Sequence, residues 1–118
     1  MFSPTVMDHT HRPRNTGPLD SATHRGVAGE PGEGPYLILE FEIEDGRILK
    51  AAYQTYGCPA AIASGSVVAE LLIGRTTNQA SKLTVEDLTR LLHGVPEGKE
   101  HCPQLAILAL NEALKSEE

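Results

Sequence analysis

Tryptophan is absent from this sequence, cysteine occurs only twice, and aromatic residues make up 4% of the 118 positions. With so few rings available, we expect a core of Leu, Ile, Val and Ala side chains. A chain of this length can bury a usable core without disulfides or structural metal, so neither is required. The length also fits one domain better than two, and we predict a single domain over residues 1–118.

Basic residues are also outnumbered, since ten Lys and Arg stand against sixteen Asp and Glu and the formal net charge is −6. That balance argues against nucleic acid as a partner. No apolar run approaches the length of a membrane span, and residues 1–4 (MFSP) do not open a signal-peptide pattern. We therefore expect a cytoplasmic protein without a membrane partner, in which the two cysteines are thiols or ligands rather than a disulfide.

A β-hairpin is the clearest local pattern that the sequence contains. Apolar residues alternate with glutamates over residues 36–43 (YLILEFEI), which predicts a strand with one solvated face. Asp45-Gly46 is typical of a hairpin turn, because Gly accepts the positive φ that such turns need. Residues 48–56 then form the antiparallel partner strand.

The stretch before this hairpin is rich in Gly and Pro and predicts mostly extended chain and loop. We expect a short edge strand near residues 23–28, and we expect residues 1–35 to be partly extended or mobile. Strands precede most of the helices, which predicts an α+β fold: a small antiparallel sheet of about three strands with helices packed on one face.

Helices are predicted from caps, prolines, glycine stops and apolar periodicity. Ser3 caps the first helix, and Thr84 with Asp87 forms a capping box for a later one. The predicted helices cover residues 3–11, 59–73, 78–81, 84–93 and 101–115. In the last helix, the residues expected to face inward are Leu105, Leu108, Ala109, Leu110 and Leu114.

Cys58 and Cys102 each precede a proline at a predicted helix N-terminus. The partial positive charge and unpaired N–H groups at such a position favour thiolate, which binds soft metals or attacks sulfur. The alternative is that both are small buried hydrophobes. His101 beside Cys102 adds a third donor, and a Cys/Cys/His set suits zinc or iron–sulfur ligation. A fourth ligand must come from elsewhere: a carboxylate such as Glu30 or Glu33, another His, solvent or a partner.

The other histidines and the strand carboxylates receive a simpler interpretation. His9, His11 and His24 lie in the polar N-terminal stretch and are predicted to be solvated, while the helix dipole explains His93 at a helix C-terminus. Glutamates 40, 42 and 44 are assigned to the solvated strand face. The sequence contains no GxxxxGK[ST], GxSxG or HExxH motif, so none of these enzyme classes is indicated.

Three segments, in order, carry a family resemblance. Residues 8–17 (DHTHRPRNTG) are similar to a "DHxxxPRNxG" segment, and residues 56–66 (YGCPAAIASGS) to a "YGCxxAIASxS" signature. Residues 99–110 (KEHCPQLAILAL) are similar to a "KxHCxxLAxxAL" ending. Together they resemble the U-type iron–sulfur cluster scaffold family, meaning IscU and the N-terminal domain of NifU.

The resemblance implies the same α+β fold, known as SufE/NifU-like, and a role that is not enzymatic. Members assemble a [2Fe–2S] cluster from iron and from sulfur delivered by a cysteine desulfurase, then pass it to acceptor proteins. Their ligands come from three cysteines, with an Asp and a His taking part. Cys58, Cys102 and His101 match two of the cysteines and the His, which implies a transient [2Fe–2S] cluster or iron, with zinc in the isolated protein.

The sequence departs from the family at the first ligand loop. Counting back from Ile43 aligns the family's "ACGD" loop with residues 32–35 (GEGP), so Glu33 stands in the place of the cysteine and Pro35 in that of the Asp. Proline offers no side-chain ligand, and a Glu oxygen suits zinc or ferrous iron better than it replaces a thiolate. A degenerate metal site of Cys58, His101, Cys102 and Glu33 is therefore predicted, and a homodimer around one cluster would supply the missing thiolates.

The family's chaperone-binding "LPPVK" loop matches residues 95–99 (VPEGK) only at Pro96 and Lys99. Recognition by an Hsp70-type chaperone is thus an expectation from these two residues. The leading hypothesis is a U-type cluster assembly protein that works with a desulfurase and acceptor proteins. The alternatives are a docking or regulatory module of the same fold that binds no cluster, and a persulfide carrier that uses Cys102.

Overall fold

The protein is described here by a computed structural model that covers residues 3–12, 15–30, 32–57, 59–95 and 98–115. Three strands form one antiparallel sheet in the order β1-β2-β3, with β1 at His24–Gly29, β2 at Tyr36–Glu44 and β3 at Arg47–Tyr56. The helices are α1 (Pro4–His11), α2 (Pro59–Leu72), α3 (Thr77–Ala80), α4 (Val85–Leu91) and α5 (His101–Lys115). The predicted α+β class and three-stranded sheet are confirmed.

The hairpin between β2 and β3 forms as the sequence predicts. Asp45 and Gly46 both adopt positive φ, at 56° and 80°, in the turn between the strands. A register shift between Glu42 and Ile43 marks an irregularity in the ladder beside this turn. The predicted edge strand is also present, because β1 pairs with β2 along its whole length, from His24 opposite Phe41 to Gly29 opposite Tyr36.

Helices α2 and α5 pack on one face of the sheet, and the closest approaches are made where glycine leaves room. A Cβ atom built on Gly26 of β1 would lie 2.0 Å from the Ala109 carbonyl oxygen in α5. A Cβ atom built on Gly65 of α2 would lie 2.4 Å from the ring of Tyr53 in β3. These two contacts set the distance between the helix layer and the sheet.

The main core lies between these layers and includes buried residues from every strand and from all five helices. Its largest fully buried members are Phe41, Leu37, Leu39, Ile48, Leu72, Leu88, Leu92 and Leu110. As expected from the composition, aliphatic side chains dominate this cluster. Among the helices in the described part of the chain, none is long and apolar enough to cross a membrane.

The helix caps form as predicted, but the prediction that Leu108 faces inward is wrong. Ser3 caps α1, and in the capping box of α4 Thr84 and Asp87 exchange two bonds of 3.1 Å. In α5, however, Leu108 is 55% exposed. It lies about 200° around the helix from buried Ala106, at 3.6 residues per turn, so it projects away from the sheet.

The N-terminal stretch is more closely packed than the sequence suggests. His11 is exposed, as predicted, but His9 and His24 are each only 7% exposed, so the prediction that they are solvated is wrong. His9 contacts Ser66 of α2, and the ring of His24 stacks on Phe41 with centroids 5.0 Å apart. The reason is tertiary: α1 packs on α2, and β1 joins the sheet beneath α5.

Glutamates 40 and 42 lie on the sheet face opposite the helices and are partly covered by the segment before β1. The backbone N–H of Leu19 donates to Glu40 Oε1 at 3.1 Å, and the Ser21 hydroxyl donates to Glu42 Oε1 at 2.7 Å. These carboxylates therefore hold the segment against the sheet.

Candidate functional site

Two of the chain segments that carry predicted ligands lead to the same end of the sheet. Tyr36, the first residue of β2, pairs with Tyr56, the last residue of β3, and their rings stack with centroids 6.4 Å apart. The loop that contains Glu33 leads into Tyr36, and the junction that contains Cys58 follows Tyr56. Sheet pairing thus brings the chain on either side of these two positions to the same end of the molecule.

Cys58 itself lies outside the described residues, so its neighbours define this corner. Tyr56 and Gly57 before it are exposed, with Tyr56 at 66%, and Pro59 after it begins α2, as predicted. The first turns of α2 are built from small residues, and Ala60 and Ala61 are buried. Small side chains here allow the start of α5 to pack directly on the start of α2.

Cys102 occupies that contact. It is 1% exposed and belongs to a small apolar cluster with Ala60 and Ala61, against which Val95 packs. Its backbone N–H donates to the carbonyl of Lys99 at 3.1 Å, which begins the first turn of α5. The structure therefore places the second cysteine against the two residues that follow Pro59, close in sequence to the first cysteine.

His101 precedes Cys102 in the same helical turn and is exposed. Its Nε2 atom lies 3.6 Å from the Cys102 sulfur. An imidazole nitrogen and a thiol sulfur are thus side by side. The His101 side chain is exposed to solvent, whereas Cys102 is buried in the apolar contact with Ala60 and Ala61 of α2. Thiolate sulfur is a soft donor and imidazole nitrogen a borderline one, and zinc and iron–sulfur centres accept both.

Glu33 lies in the exposed loop between β1 and β2. The loop turns back on itself, since the backbone N–H of Glu33 donates to the carbonyl of Glu30 at 3.0 Å. Within residues 3–12, 15–30, 32–57, 59–95 and 98–115, no three His, Cys, Asp or Glu side chains are grouped closely enough to hold a metal ion. The described residues therefore contribute the His101–Cys102 pair, and the roles of Cys58 and Glu33 as ligands stay predictions.

The loop before α5 carries the two residues assigned to chaperone binding. Pro96 lies outside the described residues, and the side chain of Lys99 is half-buried. Glu100 accepts a hydrogen bond from the Gly98 backbone N–H at 3.0 Å, and Lys99 accepts one from Cys102. This loop is bonded directly to the turn that presents His101 and Cys102.

One open cavity lies beside this end of the sheet. It measures about 370 Å³ and is bordered by the end of β3, the start of α2 and the segment that follows α1. Its lining residues are Thr16, Gly17, Tyr36, Tyr53, Gln54, Thr55 and Ile62.

A set of polar contacts from the N-terminal residues was not predicted from the sequence. His9 Nδ1 lies 2.7 Å from the Ser66 hydroxyl, and the Thr10 hydroxyl donates to the carbonyl of Pro59 at 3.2 Å. His9 belongs to the first of the three resemblance segments and Ser66 to the second. That shared membership was the available signal, but it did not say that the two side chains meet.

The chain is similar to known proteins along almost its entire length. The family model described as "NifU-like N terminal domain" matches residues 1–117. The iron–sulfur cluster assembly scaffold protein IscU 1 of Archaeoglobus fulgidus is 38% identical over 114 residues, which cover 97% of this chain and 74% of that protein.

Two solved structures share the fold. A candidate iron–sulfur cluster assembly scaffold protein for the SUF system from Fervidobacterium islandicum superposes with a TM-score of 0.77 at 18% identity, covering 96% of each chain. The N-terminal part of a NifU-like protein from Brucella abortus gives a TM-score of 0.73 at 16% identity, covering 97% of this chain and 92% of that one. Because the family model matches almost the whole length of this chain, the chain belongs to the NifU-like N-terminal domain family.

Proposed function

We propose that this protein is an iron–sulfur cluster assembly scaffold of the U type, which holds iron or a labile [2Fe–2S] cluster as transient cargo through Cys58, His101 and Cys102. The observation that carries the proposal is the packing of Cys102 against Ala60 and Ala61, with His101 Nε2 3.6 Å from its sulfur. The names of the relatives, among them the Archaeoglobus scaffold, support the same function.

Two thiolates and one imidazole leave a [2Fe–2S] cluster short of a ligand, since such clusters are usually held by four. Glu33 is the proposed fourth donor within the chain. Its carboxylate oxygen is hard, so it favours zinc or ferrous iron over a sulfide-bridged cluster. We therefore propose that the cargo is held more weakly than in a site with three cysteines, or that a second copy of the chain completes it.

Anaerobic reconstitution with iron and sulfide, followed by visible absorption, tests the proposal directly. We expect a [2Fe–2S] chromophore that is lost in Cys58→Ala and in Cys102→Ala and reduced in His101→Ala. His11→Ala is the matched control, because His11 is also an exposed histidine at a helix end but lies in α1. Absence of both a chromophore and tightly held metal from the unmodified protein would contradict the proposal and favour a docking module.

The ligand loop has its own test. Replacing Glu33→Cys is expected to lengthen the lifetime of the reconstituted chromophore, with a larger gain when Pro35→Asp is added. Glu30→Cys is the control, since it places a thiol in the same exposed loop three positions away. Equal gains from the two cysteines, or none from either, would mean that Glu33 does not occupy the ligand position.

Light scattering during reconstitution shows whether the cluster is held by a monomer or by a homodimer. A dimer that forms only with the cluster would support shared ligation, whereas a monomeric protein that retains the cluster would exclude it.

Partners follow from the same proposal: a cysteine desulfurase as sulfur donor, acceptor proteins, and an Hsp70-type chaperone at Pro96 and Lys99. Loss of chaperone binding in Lys99→Ala, with no change in Lys82→Ala, is the expected result for the chaperone.

The persulfide-carrier alternative predicts a persulfide on Cys102 by mass spectrometry after incubation with a desulfurase. The 1% exposure of Cys102 argues against it, because the Cys102 thiolate would have to reach the persulfide of the desulfurase, attack its outer sulfur and release the desulfurase thiolate.

A further inference from the structure

The N-terminal residues 3–11, here called the strap, consist of Ser3 and helix α1 and lie across the ends of two other helices. At one end of the strap, the Ser3 hydroxyl donates to the Leu92 carbonyl at 2.5 Å, and Thr5 Oγ1 lies 2.7 Å from His93 Nδ1. Leu92 and His93 follow directly after α4. His101 comes eight positions after His93 in the chain, and Cys102 follows it.

The other end of the strap is tied to α2. The Thr10 hydroxyl is shared between the carbonyls of Val6, at 2.8 Å, and Pro59, at 3.2 Å. Pro59 is the residue that follows Cys58. Deeper in the interface, His9 Nδ1 meets the Ser66 hydroxyl at 2.7 Å, with His9 7% exposed and Ser66 fully buried.

The strap therefore bonds to both chain segments that lead to the cysteines. Apolar contact adds to these bonds, since Val6 is fully buried in the main core. A short helix of eight residues is marginal on its own, so α1 depends on these contacts to stay in place. An element of this kind can open locally without unfolding the whole domain.

The geometry points to a function for the strap: it holds the start of α2 and the chain that follows α4 in place, and its release exposes Cys102, which is otherwise 1% exposed. His9, Thr10 and Ser66 are positioning residues in this arrangement, because they act through α2 and do not themselves bind cargo. The inference rests on the proposed function only for its consequence, which is that strap release weakens retention of the cargo.

Two serines on α2 provide a matched test. Ser66 bonds to the strap, whereas the Ser64 hydroxyl donates to the Ala60 carbonyl within α2, also at 2.7 Å, and both serines are fully buried. Ser66→Ala and Ser64→Ala therefore remove similar buried hydroxyls. Ser64 is nearer in sequence to Cys58, so an effect of proximity alone would be larger in Ser64→Ala.

Alkylation of the metal-free protein by iodoacetamide, resolved for each cysteine by peptide mass spectrometry, measures opening. Cys102 is 1% exposed, so its alkylation must follow an opening event. We expect Ser66→Ala to accelerate modification of Cys102 about fivefold, the effect of losing one hydrogen bond that holds the strap closed. In Ser64→Ala, the alkylation rate of Cys102 should rise by much less than the loss of global unfolding free energy in that variant would predict. Amide hydrogen exchange in α1 should be faster in Ser66→Ala and unchanged in Ser64→Ala.

Urea unfolding of both variants decides between local and global opening. Equal acceleration in the two variants, or acceleration in proportion to each variant's loss of global stability, would overturn the inference. A second pair tests the opposite end of the strap: Thr5→Val should accelerate Cys102 modification, and Thr89→Val should not, because the Thr89 hydroxyl donates to Val85 within α4.

Zinc affinity, measured by competition with a chromophoric chelator, is the readout that ties the strap to the site. Ser66→Ala should lower the affinity about fivefold and Ser64→Ala should leave it unchanged, while equal affinities would contradict the link between strap and site. If the unmodified protein bound no zinc and no cluster, the proposed function would fail, and the alkylation rates would still decide whether the strap controls exposure of Cys102.

Discussion

The carbonyl oxygen of Ala109 lies so close to Gly26 that it leaves no room for a Cβ atom at this position of the strand. A Cβ atom on Gly26 would be 2.0 Å from that oxygen and 2.4 Å from the backbone nitrogen of Ala113. Both are backbone atoms of α5, which cannot move without shifting the helix. Helix α5 also presents His101 and Cys102 at its first turn, so the same contact fixes the height of the site above the sheet.

Gly26→Ala is therefore expected to destabilise the protein strongly, by about 3 kcal/mol or more in urea unfolding, because overpacking against backbone has no inexpensive relief. Gly32→Ala is the control. Gly32 adopts φ +92° with open space around it, so its alanine variant meets only the strain of a left-handed conformation, about 1–2 kcal/mol. Similar losses in the two variants would mean that α5 does not rest on Gly26 in solution.

The contact between Gly65 and Tyr53 makes a second prediction, and it is a prediction of coupling. An alanine at 65 gains about 1 kcal/mol in helix propensity but places its Cβ atom within 2.4 to 2.9 Å of the Tyr53 ring. We expect Gly65→Ala to be destabilising in the native sequence and much less so when Tyr53→Val has removed the ring.

A double-mutant cycle measures that coupling, and we expect at least about 1 kcal/mol of non-additivity. Purely additive losses would show that the ring does not pack on Gly65.

Much of this local structure follows from sequence alone, because it depends on residues close together in the chain. The Asp45-Gly46 turn, the Ser3 cap and the capping box at Thr84 each need only a few neighbours to form. The three family motifs were sufficient to predict the fold and the NifU-like N-terminal domain family, which the solved structures and the family match confirm.

Burial in the N-terminal stretch could not be predicted in the same way. His9 and His24 sit among polar residues in sequence, and their burial arises from contacts with Ser66 and Phe41, which are 57 and 17 positions away along the chain. No periodic pattern in residues 3–30 encodes those partners. The identity of the fourth ligand is undetermined by sequence for a related reason, because it depends on how a loop folds in space.

The exposure of Leu108 was also not predicted from the sequence, and it leads to a prediction that compares two leucines of the same helix. Leu108 is 55% exposed, and Leu110, two positions later, is fully buried in the main core. Leu110→Ala should cost about 2–5 kcal/mol of unfolding free energy, as expected for a large cavity in a core. Leu108→Ala should change it by no more than about 0.5 kcal/mol, and a comparable loss at both positions would mean that another surface covers Leu108 in solution.

The capping box of α4 makes stability depend on pH in a defined direction. The pKa of Asp87 is lowered from its usual value, chiefly by the hydrogen bond from the Thr84 backbone N–H, with further contributions from the Thr84 side chain and Arg90. A carboxyl whose pKa is lower in the folded than in the unfolded protein favours folding when it is ionised. This contribution is therefore fully present above the unfolded pKa of about 3.9 and is lost as the pH falls below it, through the folded pKa.

Urea midpoints of the native protein and of Asp87→Asn, measured from pH 7 to pH 2.5, test this relationship. We expect the native protein to be the more stable at pH 7 and the difference to narrow below about pH 4, where the carboxyl is protonated first in the unfolded protein and then, at lower pH, in the folded one. Asp20→Asn is the control, since Asp20 is an exposed aspartate in the turn before β1. A difference that stays constant across the range would mean that the carboxylate charge of Asp87 does not contribute, and that the cap depends on the shape of the side chain alone.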